Sequence, residues 1–153
     1  MFLPLPKKTT RWNRHTVKLS ECRMRAYFNA HIMTGIAGKD RGIENAEKTA
    51  EFFNRTHPER ITNFSLFLHK RAPLYKDFEE GRFTPASEVD NLIEDRHLIE
   101  LLDVPGLIYD GFHDFLELRI RGTLPDDKEK MLTRIDQKLK EEEGQPEKFA
   151  IVS

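Results

Sequence analysis

The sequence is poor in cysteine and has no long apolar run. Cys22 is the single cysteine among 153 residues. One thiol cannot close an internal disulfide, so the chain is not a disulfide-stabilised secreted domain, and its composition predicts a reducing, cytoplasmic location. No apolar run approaches the roughly 20 residues of a membrane-spanning helix, which argues against a membrane protein. The six histidines are scattered. No metal site is therefore predicted, because structural and catalytic metals need three or four converging ligands.

The net charge of −1 conceals an uneven distribution of charge. Residues 1–25 carry seven Lys or Arg against one acid, whereas the rest of the chain carries 18 bases and 25 acids. Basic N-terminal segments can bind nucleic acid or direct targeting. The simpler interpretation is an irregular basic leader, and nucleic acid is not expected as a partner.

Residues 26–53 have the pattern of a strand, a glycine-rich turn and a helix. The strand portion, residues 26–34, is nearly continuous in apolar or small residues, as in a buried parallel strand. Glycines follow in the turn, and the apolar positions after it recur at helical spacing, at Ile43, Ala46, Ala50 and Phe53. This is half of a βαβ unit.

The strand, turn and helix pattern begins a second time at residue 61. Strict alternation over residues 61–69 predicts a strand with two different sides. The apolar side is expected to pack under helices, and it contains Thr62, Phe64, Leu66 and Leu68. The mixed side is expected to line a barrel lumen or site, and it contains Ile61, Asn63, Ser65, Phe67 and His69.

Further helices and a third strand follow. A short helix ends at Gly81, and a strong helix over residues 87–103 begins with Ser87 and Asp90 in capping-box spacing. Its predicted band is mostly apolar, with Val89, Leu92, Ile93, Arg96, Ile99 and Glu100. Residues 107–112 predict a third strand, and the segment after it is ambiguous between strand and helix.

The C-terminal region is predicted to be a helix over about residues 125–142 and a frayed tail over residues 143–153. The β-α-β-α-α-β-α order predicts an α/β fold with parallel strands. Three such strands make a poor free-standing sheet, because a parallel sheet needs both faces covered. Residues 26–142 are therefore expected to be an arc of a barrel or larger sheet.

Chemistry in such folds sits at the carboxyl ends of the strands, here residues 34–39, 69–71 and 110–113. The turn from Gly35 to Gly38 could bring backbone amides to a phosphate or carboxylate, or it could be an ordinary βα turn. His69 and Arg71 could hold an anionic substrate, or they could belong to a solvated basic loop. His31, which lies mid-strand among apolar residues, is interpreted as a hydrogen-bonded core residue.

From about Tyr27 onward the chain resembles the C-terminal part of the core barrel of a radical S-adenosylmethionine (radical SAM) enzyme of the elongator-type branch. Three stretches carry the resemblance: HIMTGIAG at 31–38, LFLH through APLY and KDFEEG at 66–81, and GTLPDDKEK at 122–130. The resemblance covers more than four-fifths of the chain. It implies the C-terminal portion of a partial (β/α)6 TIM-like barrel.

The resemblance also implies cofactors, namely S-adenosylmethionine and a [4Fe–4S] cluster, and a set of site residues. Met33, Gly35 and Gly38 would bind S-adenosylmethionine from the first strand. Leu68 and His69 would lie beside it from the next strand, and His69 and Arg71 would face the substrate.

The family's CxxxCxxC cluster motif is absent from this chain, and Cys22 cannot replace three cysteines. The sequence therefore predicts a C-terminal part of a radical SAM enzyme, of iron–sulfur oxidoreductase type, that is inactive alone. Two alternatives stay open. One is a small α/β module that binds a nucleotide or another anion. The other is a subunit that completes a barrel with a partner chain.

Overall fold

The structure, a computed structural model, describes residues 27–152, which form six strands and four α-helices. The predicted leader at residues 1–25 lies outside this range. The elements in chain order are β1 (Asn29–Thr34), α1 (Gly42–Thr56), β2 (Arg60–Ser65), β3 (Leu68–His69), α2 (Pro73–Glu79), α3 (Glu88–Leu101), β4 (Ile108–His113), β5 (Leu118–Thr123), α4 (Lys128–Glu142) and β6 (Ile151–Val152).

The main sheet has the strand order β1-β2-β4-β5. β1, β2 and β4 are parallel, and β5 pairs antiparallel with β4. The three predicted parallel strands are therefore confirmed, within a mixed α/β fold. The segment that was ambiguous in the sequence forms a short 3₁₀ turn, Asp114–Leu116, and then β5.

The helices α1, α3 and α4 cover one face of this sheet. α3 packs between α1 and α4 and against the strands, and the apolar core lies between helices and sheet, with Ile61, Leu92, Ile99, Tyr109 and Ile120 all inaccessible to solvent. Burial of each such side chain contributes about 1.5–3 kcal/mol. None of the helices within residues 27–152 is long and apolar enough to cross a membrane.

The two sides of β2 are the reverse of the expectation. Thr62 and Phe64 lie on the open face, whereas Ile61 and Asn63 are fully buried under the helices. Asn63 tolerates burial because its amide donates to Asp95 of α3, at 3.0 Å. Phe64 is 40% exposed and stacks on Phe112 of the neighbouring strand, with ring centroids 5.0 Å apart.

The extent of this strand also differs from the prediction. β2 ends at Ser65, and Leu68–His69 forms a separate short strand, β3. β3 pairs in parallel with β6 at the C-terminal end. The expectation of a frayed tail is wrong there, because Leu68 N–H donates to Ala150 O at 2.8 Å and Glu88 N–H donates to Lys148 O at 2.9 Å.

Two helix predictions hold in part. α1 buries Ala46, Ala50 and Phe53 as expected. α3 begins with the predicted capping box, in which Ser87 and Asp90 satisfy each other's backbone amides. The predicted band of α3 is only partly right: Leu92 and Ile99 are buried, but Ile93 is exposed and Arg96 pairs with Asp136 of α4 at 2.6 Å. The other buried positions of α3 are the apolar Leu98 and four polar residues, Glu88, Asn91, Glu94 and Asp95.

The β1 side of the molecule has an open groove. This flank groove has a volume of about 580 Å³ and is lined among others by Phe28, Ala30, Ile32, Asn45, Thr49 and Phe52. Ala30 and Ile32 face the helices but stay half-exposed, whereas Ile61 and Asn63, their partners on β2, are fully buried. The flank groove is therefore a surface where the helix-covered face of the sheet is incomplete within the described residues.

We expect the flank groove to make the isolated chain associate with itself, because an uncovered strand edge beside apolar side chains is a template for pairing. Replacement of Ile32 by Asp should shift the molecular mass, measured by light scattering during size exclusion, toward the monomer. Ile43→Asp is the matched control, since Ile43 is also exposed but does not line the groove. An unchanged mass distribution in the Ile32 variant, or an equal shift in the control, would contradict the expectation.

Candidate functional site

A buried polar cluster lies where α3 crosses the carboxyl ends of β2 and β4. Its centre is Asp95, which is inaccessible to solvent. Asp95 Oδ1 accepts hydrogen bonds from Asn63 Nδ2, at 3.0 Å, and from the Tyr109 hydroxyl. Burial, with a smaller effect of Asp95, raises the pKa of the Tyr109 phenol well above its ordinary value, so Tyr109 remains a donor. Asp95 is thereby held in one orientation.

The second oxygen of Asp95 connects to a histidine and a serine. His113 Nε2 lies 2.9 Å from Asp95 Oδ2, and His113 Nδ1 lies 3.0 Å from Ser65 Oγ. A carboxylate only accepts hydrogen bonds, so in the neutral ring Nε2 carries the proton and Nδ1 presents its lone pair to Ser65. Asp95, His113 and Ser65 thus form a continuous hydrogen-bonded chain.

Two further polar side chains of α3 are buried nearby. Asn91 Nδ2 donates to Glu88 Oε1 at 3.2 Å. Within residues 27–152, Glu88 Oε2 and Asn91 Oδ1 are buried without a hydrogen-bond partner. Burial raises the pKa of the Glu88 carboxyl, while nearby Ser65 and His113 act in the opposite direction. A buried acceptor without a partner is costly, and Ser65 is the neighbouring hydroxyl that can donate to this carboxyl.

The turn after β1 is closed by Glu94 of α3. Gly35 N–H donates to Glu94 Oε2 at 2.9 Å, and Asn45 Nδ2 of α1 donates to Glu94 Oε1 at 2.7 Å. A carboxylate of the chain itself therefore occupies the position at the start of α1 where a phosphate or carboxylate could have bound. Burial raises the pKa of Glu94, with hydrogen bonds from Asn45 and Gly35 opposing it.

Glycines allow α3 to approach the strands this closely. A Cβ at Gly35, whose φ is 82°, would lie 2.4 Å from Asn91 Oδ1. A Cβ at Gly111 would lie 3.0 Å from Asp95 Oδ2. The small residues at these positions are explained by contact with α3, so they need no bound ligand to account for them.

An apolar groove opens above the polar cluster. This strand-end groove has a volume of about 290 Å³ and is lined by Met33, Phe64, Ser65, Phe67, Phe112, Asp114 and Phe115. Phe67 and Phe115 also pack on each other, with ring centroids 6.0 Å apart. Ser65 belongs both to the groove and to the hydrogen-bonded chain, so it connects the buried cluster with the surface.

Neither a family model, nor a curated protein, nor a solved structure matches this chain. The resemblance to radical SAM enzymes therefore stays a prediction from the sequence, and the site is judged on its own geometry.

The residues predicted to bind S-adenosylmethionine fall in different environments. Met33 is 40% exposed and lines the strand-end groove. Gly35 and Gly38 are buried in the turn, where Gly38 N–H donates to Gly35 O at 3.0 Å. Leu68 is buried and lies outside the groove lining, and His69 is half-buried beside it.

The predicted substrate-binding pair and His31 also have defined positions. His69 Nδ1 accepts a hydrogen bond from Arg71 N–H at 3.1 Å, in an exposed loop. The guanidinium of Arg71 has no role in the polar cluster described above. The interpretation of His31 as a core residue is wrong: it is exposed on the open face of β1, because its neighbours Ala30 and Ile32 are the residues that face the helices.

Sequence reasoning missed Asp95, His113 and Ser65 as a group. They are separated by 18 and 48 positions in sequence, and only the pairing of β2 beside β4 under α3 brings them together. One signal was present, since His113 stands at the end of a predicted strand. Within residues 27–152, no group of three or more His, Cys, Asp or Glu side chains is placed to hold a metal ion.

Replacement of Glu94 by Ala should lower the free energy of unfolding by about 1–3 kcal/mol, because the Gly35 amide and the Asn45 side chain lose their acceptor. Urea denaturation measures this, with the exposed Glu51→Ala as the matched control. Glu94→Gln should cost less, since one acceptor remains. Because burial raises the pKa of Glu94, the wild type should lose stability relative to Glu94→Gln as the pH rises from the ordinary glutamate pKa to the raised one. The opposite slope would contradict the assignment.

Proposed function

We propose that this chain is the C-terminal part of a radical SAM enzyme barrel, without radical chemistry of its own, and that it contributes one wall of a cofactor cradle. The observation that carries the proposal is the sheet: β1, β2 and β4 run parallel, and within residues 27–152 the helices lie on one face only. In a closed α/β barrel the helices lie outside and the other face lines the lumen.

The open face has the composition of a lumen wall. Arg119 forms a two-pronged ion pair with Asp110, at 3.0 and 2.9 Å, and its guanidinium lies 4.4 Å from the centre of the Phe112 ring. The hydrogen bond from Arg119 lowers the pKa of Asp110, which therefore stays ionised. In the part of the chain that the structure describes, no layer covers these charges and aromatic rings, which supports a ligand-facing wall.

The flank groove supports the same proposal. At the end strand of a barrel arc, the helix-facing side chains are only partly covered, because the next strand and its helix are not beside them. Ala30 and Ile32 on β1 are half-exposed in this way. Within residues 27–152 no further βα unit covers this edge. One supplied from outside this range would place a parallel strand beside β1 and a helix beside α1.

The residues present fit one implied cofactor better than the other. Met33 at the end of β1, with Phe64 and Phe112, offers an apolar wall on which an adenine ring could pack. A [4Fe–4S] cluster is held by cysteine thiolates. Cys22 is the single thiol of the chain, so its residues do not fit the cluster and the ligands must come from elsewhere.

The anion-binding module is the weaker alternative. It relied on free amides at the turn after β1, but Gly35 N–H is bonded to Glu94, Gly38 N–H to Gly35 O and Lys39 N–H to Thr84 O. A phosphate would have to displace a buried carboxylate of the chain itself. The subunit alternative differs from the main proposal only in where the rest of the barrel is encoded.

The proposal is tested in the DNA upstream of the coding segment and in the protein that it encodes. We expect an open frame, in the same or another phase, that encodes CxxxCxxC. The joined protein should take up about four irons per chain on anaerobic reconstitution, and the present chain should take up none. An upstream region without the motif would leave a partner chain as its source, and cluster uptake by the present chain alone would refute the proposal.

A further inference from the structure

The hydrogen-bonded chain from Asp95 through His113 to Ser65 has no role in the proposed function. Its heavy-atom distances of 2.9 and 3.0 Å are those of a nucleophile, its base and the group that orients the base. In His113, Nδ1 faces the serine and Nε2 faces the carboxylate, which is the reverse of most serine hydrolases. Either ring nitrogen can accept a proton. What matters is that a lone pair points to the hydroxyl.

We propose that Ser65 is a nucleophile for acyl transfer, and that this region hydrolyses esters of small apolar acids bound in the strand-end groove. Ser65 and His113 are the catalytic residues. Asp95 is a positioning residue, which fixes the tautomer and orientation of His113.

The reaction needs only water as its second reactant. Ser65 Oγ attacks the ester carbonyl carbon while its proton passes to His113 Nδ1. The C–O bond to the alcohol then breaks, and His113 returns the proton to the leaving oxygen. Water attacks the acyl-serine by the same route, which releases the acid and restores the Ser65 hydroxyl.

The surrounding residues hold this chain of hydrogen bonds in place. His113 and Asp95 are both inaccessible to solvent, and Asn63 and Tyr109 fix the far oxygen of Asp95. A base that cannot rotate away from its nucleophile is pre-organised, which contributes to the rate because the ordering of these groups is completed during folding.

Glu88 lies beside this chain of hydrogen bonds. Burial has the largest effect on the pKa of its carboxyl and raises it, whereas a hydrogen bond with Ser65 and the charge of His113 lower it.

The groove sets the substrate class. Its lining is mostly aromatic, from Phe64, Phe67, Phe112 and Phe115, and its volume of about 290 Å³ suits a short acyl chain. Asp114 at the same groove disfavours anionic acids by like-charge repulsion. Uncharged esters of short-chain apolar acids are therefore the class that fits.

The full chain is treated with an alkyl fluorophosphonate, and the adduct is located by mass spectrometry. We expect one adduct on Ser65, none in Ser65→Ala, and labelling slower by on the order of 100-fold in His113→Gln. Thr62→Ala is the matched control, because Thr62 lies on the same strand but outside the chain of hydrogen bonds, and it should label like the wild type. Thermal unfolding followed by circular dichroism checks that each variant is folded.

Hydrolysis of 4-nitrophenyl butyrate separates the roles. Asp95→Asn should lower kcat with little change in KM, whereas Phe67→Ala, in a half-exposed groove residue, should raise KM. Absence of a wild-type adduct, an adduct on another residue, or equal labelling of a folded His113→Gln would each overturn the proposal. The experiment requires neither a cluster nor a partner chain, so its result is independent of the proposed function.

Discussion

The burial of the polar side of α3 is the constraint on which the rest of the structure depends. Four polar side chains of this helix, Glu88, Asn91, Glu94 and Asp95, are almost inaccessible to solvent. Each buried polar atom needs a partner, and a missing one costs about 1–3 kcal/mol. The strands supply the partners of Asp95, namely Asn63 of β2 and Tyr109 and His113 of β4, so the position of α3 and the pairing of β2 with β4 are determined together.

The same constraint concentrates chemistry at one end of the sheet. Parallel strands bring their carboxyl ends to a common edge, and α3 places its carboxylates against that edge. The result is a buried cluster with a single line of hydrogen bonds to an aromatic groove through Ser65. The flank groove lies on another surface. The strand-end groove is common to both proposals, because Met33, Phe64 and Phe112, the wall proposed for an adenine ring, also line the groove proposed for the acyl chain.

Periodicity predicted the elements that obey local rules. α1, the capping box of α3 and the three parallel strands follow from spacing, end signals and element order. It failed for β2, where Phe64 lies on the open face and Asn63 in the core. Hydrophobicity alone cannot identify which side of this strand is buried. Phe64 stacks on Phe112 and the Asn63 amide donates to Asp95, and both partners are far away in sequence.

The sequence by itself determined α1, α3 and the three parallel strands β1, β2 and β4, and that the chain lacks the thiols for its own iron–sulfur cluster. Only the tertiary structure decided which polar residues are buried together and that Glu94 closes the turn after β1. The reason is physical. Backbone preference and hydrophobic periodicity depend on residues a few positions apart, whereas the free-energy cost of burying a carboxylate is offset only by hydrogen-bond donors that folding brings from other elements.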